Sequence, residues 1–124
     1  MGSAKPVKVA LDTNMVLAVE QFKVDIFEGI DTLVGKAEFV VPIQVKREIE
    51  MLSEKKVAGL ALGLLEEKKI GIESVEADNA DKALEMMAQS GHIVATNDRE
   101  LRKKIKSFGG KIIYLRKKKT LEMG

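Results

Sequence analysis

Short apolar runs alternate along this chain with longer segments in which apolar residues recur every three or four positions. Continuous apolar runs of this length are typical of strands that are buried on both faces of a sheet. The longer segments have the period of amphipathic helices. Strands that alternate with helices over the whole length predict a parallel sheet with helices on both of its faces.

The fold class predicted from this pattern is α/β, in a single domain of residues 1–124 whose core covers 7–115. The predicted strands are residues 7–11, 39–41, 71–75, 93–95 and 112–115, of which the third is the weakest. The predicted helices are residues 13–22, 26–34, 43–52, 54–69, 80–90 and 98–108. The basic C-terminal tail, residues 116–124, is predicted to be frayed or loosely held.

Composition narrows the chemistry that the domain can support. Of its 124 residues, 45% are hydrophobic and 32% are charged, which describes an ordinary soluble globular domain. The absence of cysteine favours a reducing, cytoplasmic location. The absence of cysteine and the single histidine exclude disulfides, thiolate zinc sites, cysteine nucleophiles and multi-histidine metal sites. No apolar run approaches the roughly 20 residues that span a bilayer. Any metal must therefore lie among carboxylates, which favours Mg²⁺ or Mn²⁺.

The distribution of charge is more informative than the net charge of +2. One basic run lies in the tail at 116–119, and Arg102, Lys103, Lys104 and Lys106 crowd a single predicted helix. Clustered cations of this kind are an electrostatic footprint for nucleic acid. Aromatic residues make up only 4% of the chain, which argues against a platform for stacking bases.

The stretch from residue 92 to residue 101 is the most informative part of the chain. Its apolar residues 93–95 end abruptly in Thr96, Asn97 and Asp98, and a charged segment of helical period follows. An acid is thus presented where a strand stops and a helix starts, which is where ligands bind in open α/β sheets. The plainer interpretation of Asp98 is a helix N-cap. Thr96 and Asn97 exceed what a cap requires and are candidates to orient the carboxylate or to hold a metal-bound water.

The same junction occurs near the start of the chain, where the apolar run 7–11 ends in Asp12, Thr13 and Asn14. Taken alone, Asp12 is more often an N-cap than a metal ligand. Its pairing with Asp98, at the end of a second strand, favours a metal site over two independent caps.

Two further acids lie on predicted helices at positions that turn them toward the sheet. At about 100° per residue, Glu48 falls on the edge of the buried stripe of its helix, whereas Glu50 points away. Asp81 lies at the edge of an apolar helix face, with Asp78 as a competitor just upstream. The alternatives are an ion pair between Glu48 and a lysine, and a capping role for either aspartate. Acids that meet at one sheet edge repel one another unless a cation neutralises them, so their convergence would imply a metal.

The order of these acids resembles that of the PIN domain family. The motifs in chain order are Leu11-Asp12-Thr13-Asn14, then Val41-Pro42 leading to Glu48, then Ala80-Asp81, then Ala95-Thr96-Asn97-Asp98-Arg99-Glu100-Leu101. The resemblance covers residues 7–115, and the Thr-Asn-Asp-x-x-Leu segment is its most specific part. Within the family, the chain is most similar to small archaeal proteins of the ribosomal-RNA-processing type and to VapC-type toxins.

This resemblance implies a three-layer α/β/α sandwich with a five-stranded parallel sheet. It also implies a ribonuclease that depends on Mg²⁺ or Mn²⁺ and cleaves single-stranded RNA. The residues that would carry the activity are the metal-binding and catalytic acids Asp12, Glu48, Asp81 and Asp98, the supporting Asn14 and Thr96, and the RNA-binding Arg99, Arg102 and Lys46. The partners to be expected are single-stranded RNA, a second copy of the chain, and an antitoxin or a ribosome-assembly protein, with no membrane.

Two other classes of function compete with this one. A non-catalytic RNA-binding or assembly module would keep the fold and the basic charge without cutting RNA. A phosphoacceptor receiver domain also has five parallel strands, but it needs an acid pair after the first strand and an aspartate after the third. Residues 11–13 and 71–76 supply neither, so the receiver class is disfavoured.

Overall fold

The protein is described here by a computed structural model that covers residues 6–124. Strands and helices alternate along this part of the chain, as the apolar pattern predicts. The strands are β1 (Val7–Leu11), β2 (Ala37–Pro42), β3 (Gly71–Glu73), β4 (Ile93–Ala95), β5 (Ile112–Arg116) and β6 (Thr120–Met123). The helices are α1 (Thr13–Phe22), α2 (Ile26–Val34), α3 (Ile43–Glu50), α4 (Lys55–Glu67), α5 (Ala80–Gln89) and α6 (Arg99–Ser107). The predicted α/β class with a parallel sheet is confirmed.

The strands form one sheet in the order β3-β2-β1-β4-β5-β6. The pairs from β3 to β5 are parallel, and β6 pairs antiparallel with β5. The chain lays down β1, β2 and β3 in one direction and then crosses back to place β4 on the other side of β1. The point between β1 and β4 is therefore the topological switch point, where open α/β sheets bind ligands at the carboxyl ends of their strands.

The two central strands are the most deeply buried elements of the sheet. Val9, Ala10 and Leu11 of β1 and Val94 and Ala95 of β4 all have 0% exposure. Because successive side chains of a strand point to opposite faces, this burial means that helices cover both faces. The rigid centre of the sheet thus lies directly beneath the switch point.

The C-terminal tail differs from the prediction. Instead of fraying, residues 117–119 form a turn, and β6 completes a hairpin with β5. Leu121 is 8% exposed and packs close to Gly29 of α2, where an added Cβ would lie 2.9 Å from its Cδ2 atom. The prediction failed because the turn uses the left-handed region at Lys117 and Lys118 and contains no glycine, asparagine or proline to signal it. The sheet therefore has six strands rather than five, and the core extends past residue 115.

Other differences from the predicted bounds are small. β2 begins at Ala37 rather than at residue 39, and β3 ends at Glu73 rather than at residue 75. Among the helices of residues 6–124, none combines the length and the apolar character that crossing a membrane requires.

Candidate functional site

Asp12 lies at the switch point with its carboxylate fixed in place. β1 and β4 pair in register at Leu11 and Ala95, so the next residues, Asp12 and Thr96, leave the sheet side by side. Asp12 is 8% exposed. Its Oδ1 atom accepts from the amide of Thr13 at 2.7 Å, and its Oδ2 atom accepts from the Thr96 hydroxyl at 2.7 Å. These bonds hold one buried carboxylate in a single orientation.

Thr96 connects the ends of the two central strands. Its side chain is fully buried, and its Oγ1 atom donates to Asp12 while accepting from the backbone amide of Asp98 at 3.1 Å. Asp98 in turn accepts from the Leu101 amide at 3.1 Å and caps α6. Both aspartates are therefore N-caps, as the plainer interpretation held, and they are also joined to each other through one hydroxyl group.

Glu48 approaches the same place from α3. Its Oε1 atom accepts from the Thr13 hydroxyl at 2.5 Å, so its partner is a threonine rather than a lysine. The lysine Lys46, which is one of the predicted RNA contacts, instead forms an exposed ion pair with Glu50 at 3.9 Å. Thr13 was not among the predicted site residues. The signal that could have found it is its place in the polar cluster that directly follows β1.

Asp81 lies in the first turn of α5. The cap of this helix is Asn79, whose Oδ1 atom accepts from the Lys82 amide at 2.8 Å, so neither Asp78 nor Asp81 serves as the cap. Burial raises the pKa of Asp81, and the negative charges of Asp98 and Glu48 raise it further. The influence of Asp98 and Glu48 on the pKa of Asp81 agrees with a position at the same edge of the sheet as those acids.

Burial also raises the pKa of Asp12. The hydrogen bonds from Thr96 and Thr13 oppose this shift, whereas the charges of Asp81 and Glu48 add to it. The buried carboxylate is thus costly to ionise, and its neighbours make it costlier.

The carboxylate oxygens suit a hard cation as ligands, but within residues 6–124 the acids do not converge on a single position. Within residues 6–124, no three acids are close enough as they stand to ligate one ion together. Asp12 is buried and held, whereas the side chains of Glu48, Asp81 and Asp98 are exposed. A cation at the strand ends would therefore be met by the buried Asp12, with the three exposed carboxylates as further ligands. It would relieve the repulsion that raises the pKa values of Asp12 and Asp81.

The remaining polar residues of the two junctions have different roles. Asn97 does not orient a carboxylate: its side chain donates to the carbonyl of Leu115 at 3.0 Å and accepts from its amide at 2.7 Å. It therefore fastens the loop after β4 to β5. Asn14 is exposed on the first turn of α1. His92 directly precedes β4, at the opposite end of that strand from Asp98, and its Nε2 atom lies 3.1 Å from Glu73.

Gln44 is a further residue that the sequence did not reveal. It is buried on α3, one helical turn before Glu48, and its Nε2 atom donates to the carbonyls of Val75 at 2.6 Å and Ala77 at 3.0 Å. These bonds hold the segment that leads from β3 to Asp81. One helix therefore presents Glu48 directly and supports Asp81 through the loop before it.

Two of the predicted RNA contacts lie on α6. Arg99 is exposed at its first residue, next to Asp98. Arg102 is half-buried, and its guanidinium carbon lies 4.7 Å from the centre of the Tyr114 ring. This cation–π contact gives Arg102 a defined position against β5.

Comparison with known proteins agrees with the motifs and with the fold. Residues 9–118 match the family model described as a PIN like domain. The chain is 33% identical over 117 residues to ribonuclease VapC9 of Archaeoglobus fulgidus, covering 90% of this chain and 84% of that protein. It is 30% identical over 127 residues to ribonuclease VapC4 of Methanocaldococcus jannaschii, covering 94% of this chain and 95% of that protein. The structure of the PIN domain endonuclease Utp24 aligns with a TM-score of 0.81 at 23% identity, covering 95% of this chain and 91% of that chain, which shows a shared fold.

Proposed function

The chain belongs to the PIN-like domain family, and we propose that it is a divalent-metal-dependent endoribonuclease that cleaves single-stranded RNA. The observation that supports this most is the connection of three acids at the switch point of the sheet. Thr96 bonds to Asp12 and to the backbone amide of Asp98, and Thr13 bonds to both Asp12 and Glu48. A carboxylate kept beside like charges costs stability, and such an arrangement is characteristic of functional sites. The names of the two ribonuclease relatives agree with a nuclease.

Mg²⁺ or Mn²⁺ would be held by Asp12 and Asp98, directly or through water, with Asp81 and Glu48 completing the site. When bound, such an ion supplies a water of lowered pKa and offsets the charge that develops on the scissile phosphate. Asp12 is the fixed reference point, because Thr13 and Thr96 hold both of its oxygens.

The other residues position these groups and the substrate. Thr96 holds Asp12 and the start of α6 together, and Thr13 sets the direction of Glu48. Arg99, Arg102 and Lys46 would hold the RNA backbone without reading its sequence. Asn14, exposed beside Asp12, would supply polar support.

The biological setting that we propose is RNA processing or a toxin-type role. In the first, the partner would be a ribosome-assembly protein, and in the second an antitoxin. A second copy of the chain is a further candidate partner in either setting.

The matched pair Asp81→Asn and Asp78→Asn tests this proposal. Cleavage of a single-stranded RNA is measured with Mn²⁺, with Mg²⁺ and with EDTA. We expect cleavage by the parent protein only with a divalent ion, a large loss for Asp81→Asn, and parent-like activity for Asp78→Asn. Equal activity in EDTA would contradict the metal dependence. Binding of RNA without cleavage under all conditions would favour a non-catalytic RNA-binding module.

A further inference from the structure

Helix α6 separates two grooves, one shared with α5 and one shared with β5. The α5–α6 groove has a volume of about 610 Å³ and includes Asp81 in its lining. The α6–β5 groove has a volume of about 580 Å³ and includes Arg99, the residue after Asp98. Both are open and large enough for a strand of nucleic acid, so their shape does not decide which of them a substrate uses.

The charges of the two grooves differ. The α5–α6 groove contains three lysines and three acids, namely Lys82, Lys103, Lys104, Asp81, Glu85 and Glu100. Two of these lysines are already paired, because Lys104 lies 3.6 Å and Lys82 3.8 Å from the carboxylate of Glu85. This groove is thus close to neutral and offers little attraction to a phosphodiester.

The α6–β5 groove contains four cations and one acid, namely Arg99, Arg102, Lys103, Lys106 and Glu100. In the part of the chain that the structure describes, none of these four cations forms an ion pair with a carboxylate. Unpaired cations that share one groove repel one another, and an anion in the groove would relieve that repulsion.

Arg102 indicates which part of a nucleotide the groove would take. Its guanidinium is stacked over Tyr114, whose hydroxyl donates to Glu122 at 3.1 Å. The guanidinium is planar, and stacking on the ring fixes the orientation of its N–H groups, which suit phosphate oxygens. The ring face that a base would stack on is covered by the arginine. The groove therefore matches the sugar–phosphate backbone rather than bases.

We propose that the RNA strand leaves the carboxylates along the α6–β5 groove, where Arg99, Arg102 and Lys106 bind its phosphodiester groups, and does not follow the α5–α6 groove. This rests on the proposed ribonuclease function. Arg99 and Lys106 are about 10 Å apart along the helix axis. A substrate must then extend beyond the scissile phosphate on the side that enters this groove, and very short oligonucleotides bind weakly.

The test compares two double variants of the full chain. The first neutralises the α6–β5 groove by Arg102→Gln and Lys106→Gln, and the second neutralises the α5–α6 groove by Lys82→Gln and Lys104→Gln. The ligand is a labelled 2′-O-methyl RNA of about 12 nucleotides, within the range of single-strand site sizes. It resists cleavage, and binding is measured by fluorescence anisotropy in EDTA at salt concentrations from about 50 to 200 mM.

Each phosphate contact contributes about 0.7 to the slope of log affinity against log salt for a single strand. We expect the first variant to lower this slope by about 1.4 and its affinity by about 25-fold at 0.1 M salt, and the second to keep the parent slope. Loss of Arg102 also removes a packed side chain. A third double variant, Arg99→Gln with Lys106→Gln, is therefore measured as well, because both residues are exposed in the parent protein. We expect the same loss of slope and affinity for it.

The proposed path would be overturned if both α6–β5 variants kept the parent slope. It would also be overturned if the α5–α6 variant lost as much slope and affinity as they do. Equally tight binding of a polyglutamate peptide of similar charge would overturn it as well, because the groove would then take an acidic protein. Cleavage is measured separately with Mn²⁺. A protein that binds through this groove but never cleaves refutes the ribonuclease proposal alone, whereas one that cleaves and ignores these substitutions refutes the path alone.

Discussion

Two acids of this protein, Glu73 and Asp12, have opposite electrostatic surroundings and opposite shifts in pKa. Glu73 on β3 has a cationic partner, Lys8 at 3.0 Å, and the imidazole of His92 lies 3.1 Å from it. Burial alone would raise the pKa of Glu73, but the hydrogen bond from Lys8 and the charge of His92 outweigh it and lower the pKa. Within residues 6–124, Asp12 has only hydroxyl and amide donors, with further acids beyond them, and its pKa is raised.

The difference separates a carboxylate that stabilises the fold from one that does not. For Glu73, ionisation is favoured by folding, so it contributes stability at pH values above its ordinary pKa of 4.5 and loses it as the pH falls. For Asp12, protonation is favoured by folding. Stability therefore falls as the pH rises from its ordinary pKa of 3.8 through the raised value, and the full cost is present at neutral pH. A cation would offset that cost, and we therefore propose a functional role for Asp12.

The largest expected effect is that of Asp12→Asn. Asparagine keeps an N-cap oxygen for the Thr13 amide, and its amide can donate to Thr96, so we expect the free energy of unfolding to change by less than about 1 kcal/mol. Loss of the fixed ligand should lower single-turnover RNA cleavage with Mn²⁺ by about a thousand-fold. Mn²⁺ at a hundred times its Kd should stabilise the parent protein by about 2.7 kcal/mol and this variant hardly at all.

Exposed Glu66 on α4 supplies the control, since Glu66→Gln should leave both cleavage and the stabilisation by Mn²⁺ unchanged. Retained full activity in Asp12→Asn, measured in the same assay, would reject the assignment of this acid and with it the contrast with Glu73.

An intermediate effect is expected for Gln44→Leu, which leaves the carbonyls of Val75 and Ala77 without their donor. We expect a loss of about 2 kcal/mol in urea unfolding. Because the loop before Asp81 is released, half-maximal cleavage should require about tenfold more Mn²⁺. Gln89→Leu, at an exposed position of α5, should change neither quantity. A loss of stability with unchanged Mn²⁺ dependence would show that Gln44 supports the fold alone.

The sequence predicted those parts of the site that depend on local signals. Asp12 and Asp98 follow apolar runs and cap helices, and both features are visible within a few residues. It did not predict that β1 and β4 are neighbours, because strand order depends on packing across the whole chain. The roles of Thr13 and Gln44 were missed for the same reason, since their partners lie 35 and 31 residues away in sequence.

β6 was missed for a different reason. Its hairpin turn consists of lysines, and the left-handed backbone at Lys117 and Lys118 is stabilised by the pairing of β5 with β6 rather than by turn residues. The basic run there favours a loosely held tail, whereas Leu121 and the alternation around it are consistent with a strand whose one face is buried.

The smallest effect is expected for Glu73→Gln, which tests the other side of the comparison. Its pair with Lys8 is partly exposed, so we expect a loss of only about 0.5 kcal/mol at pH 7. At a pH well below 4.5, where Glu73 is protonated in both states, the difference in urea unfolding should vanish. Glu76→Gln, at an exposed position nearby, should show no pH-dependent difference, and both variants should cleave RNA like the parent protein. If Glu73→Gln lost cleavage activity and kept its stability, the comparison would fail. A cationic partner would then not distinguish structural acids from functional ones in this fold.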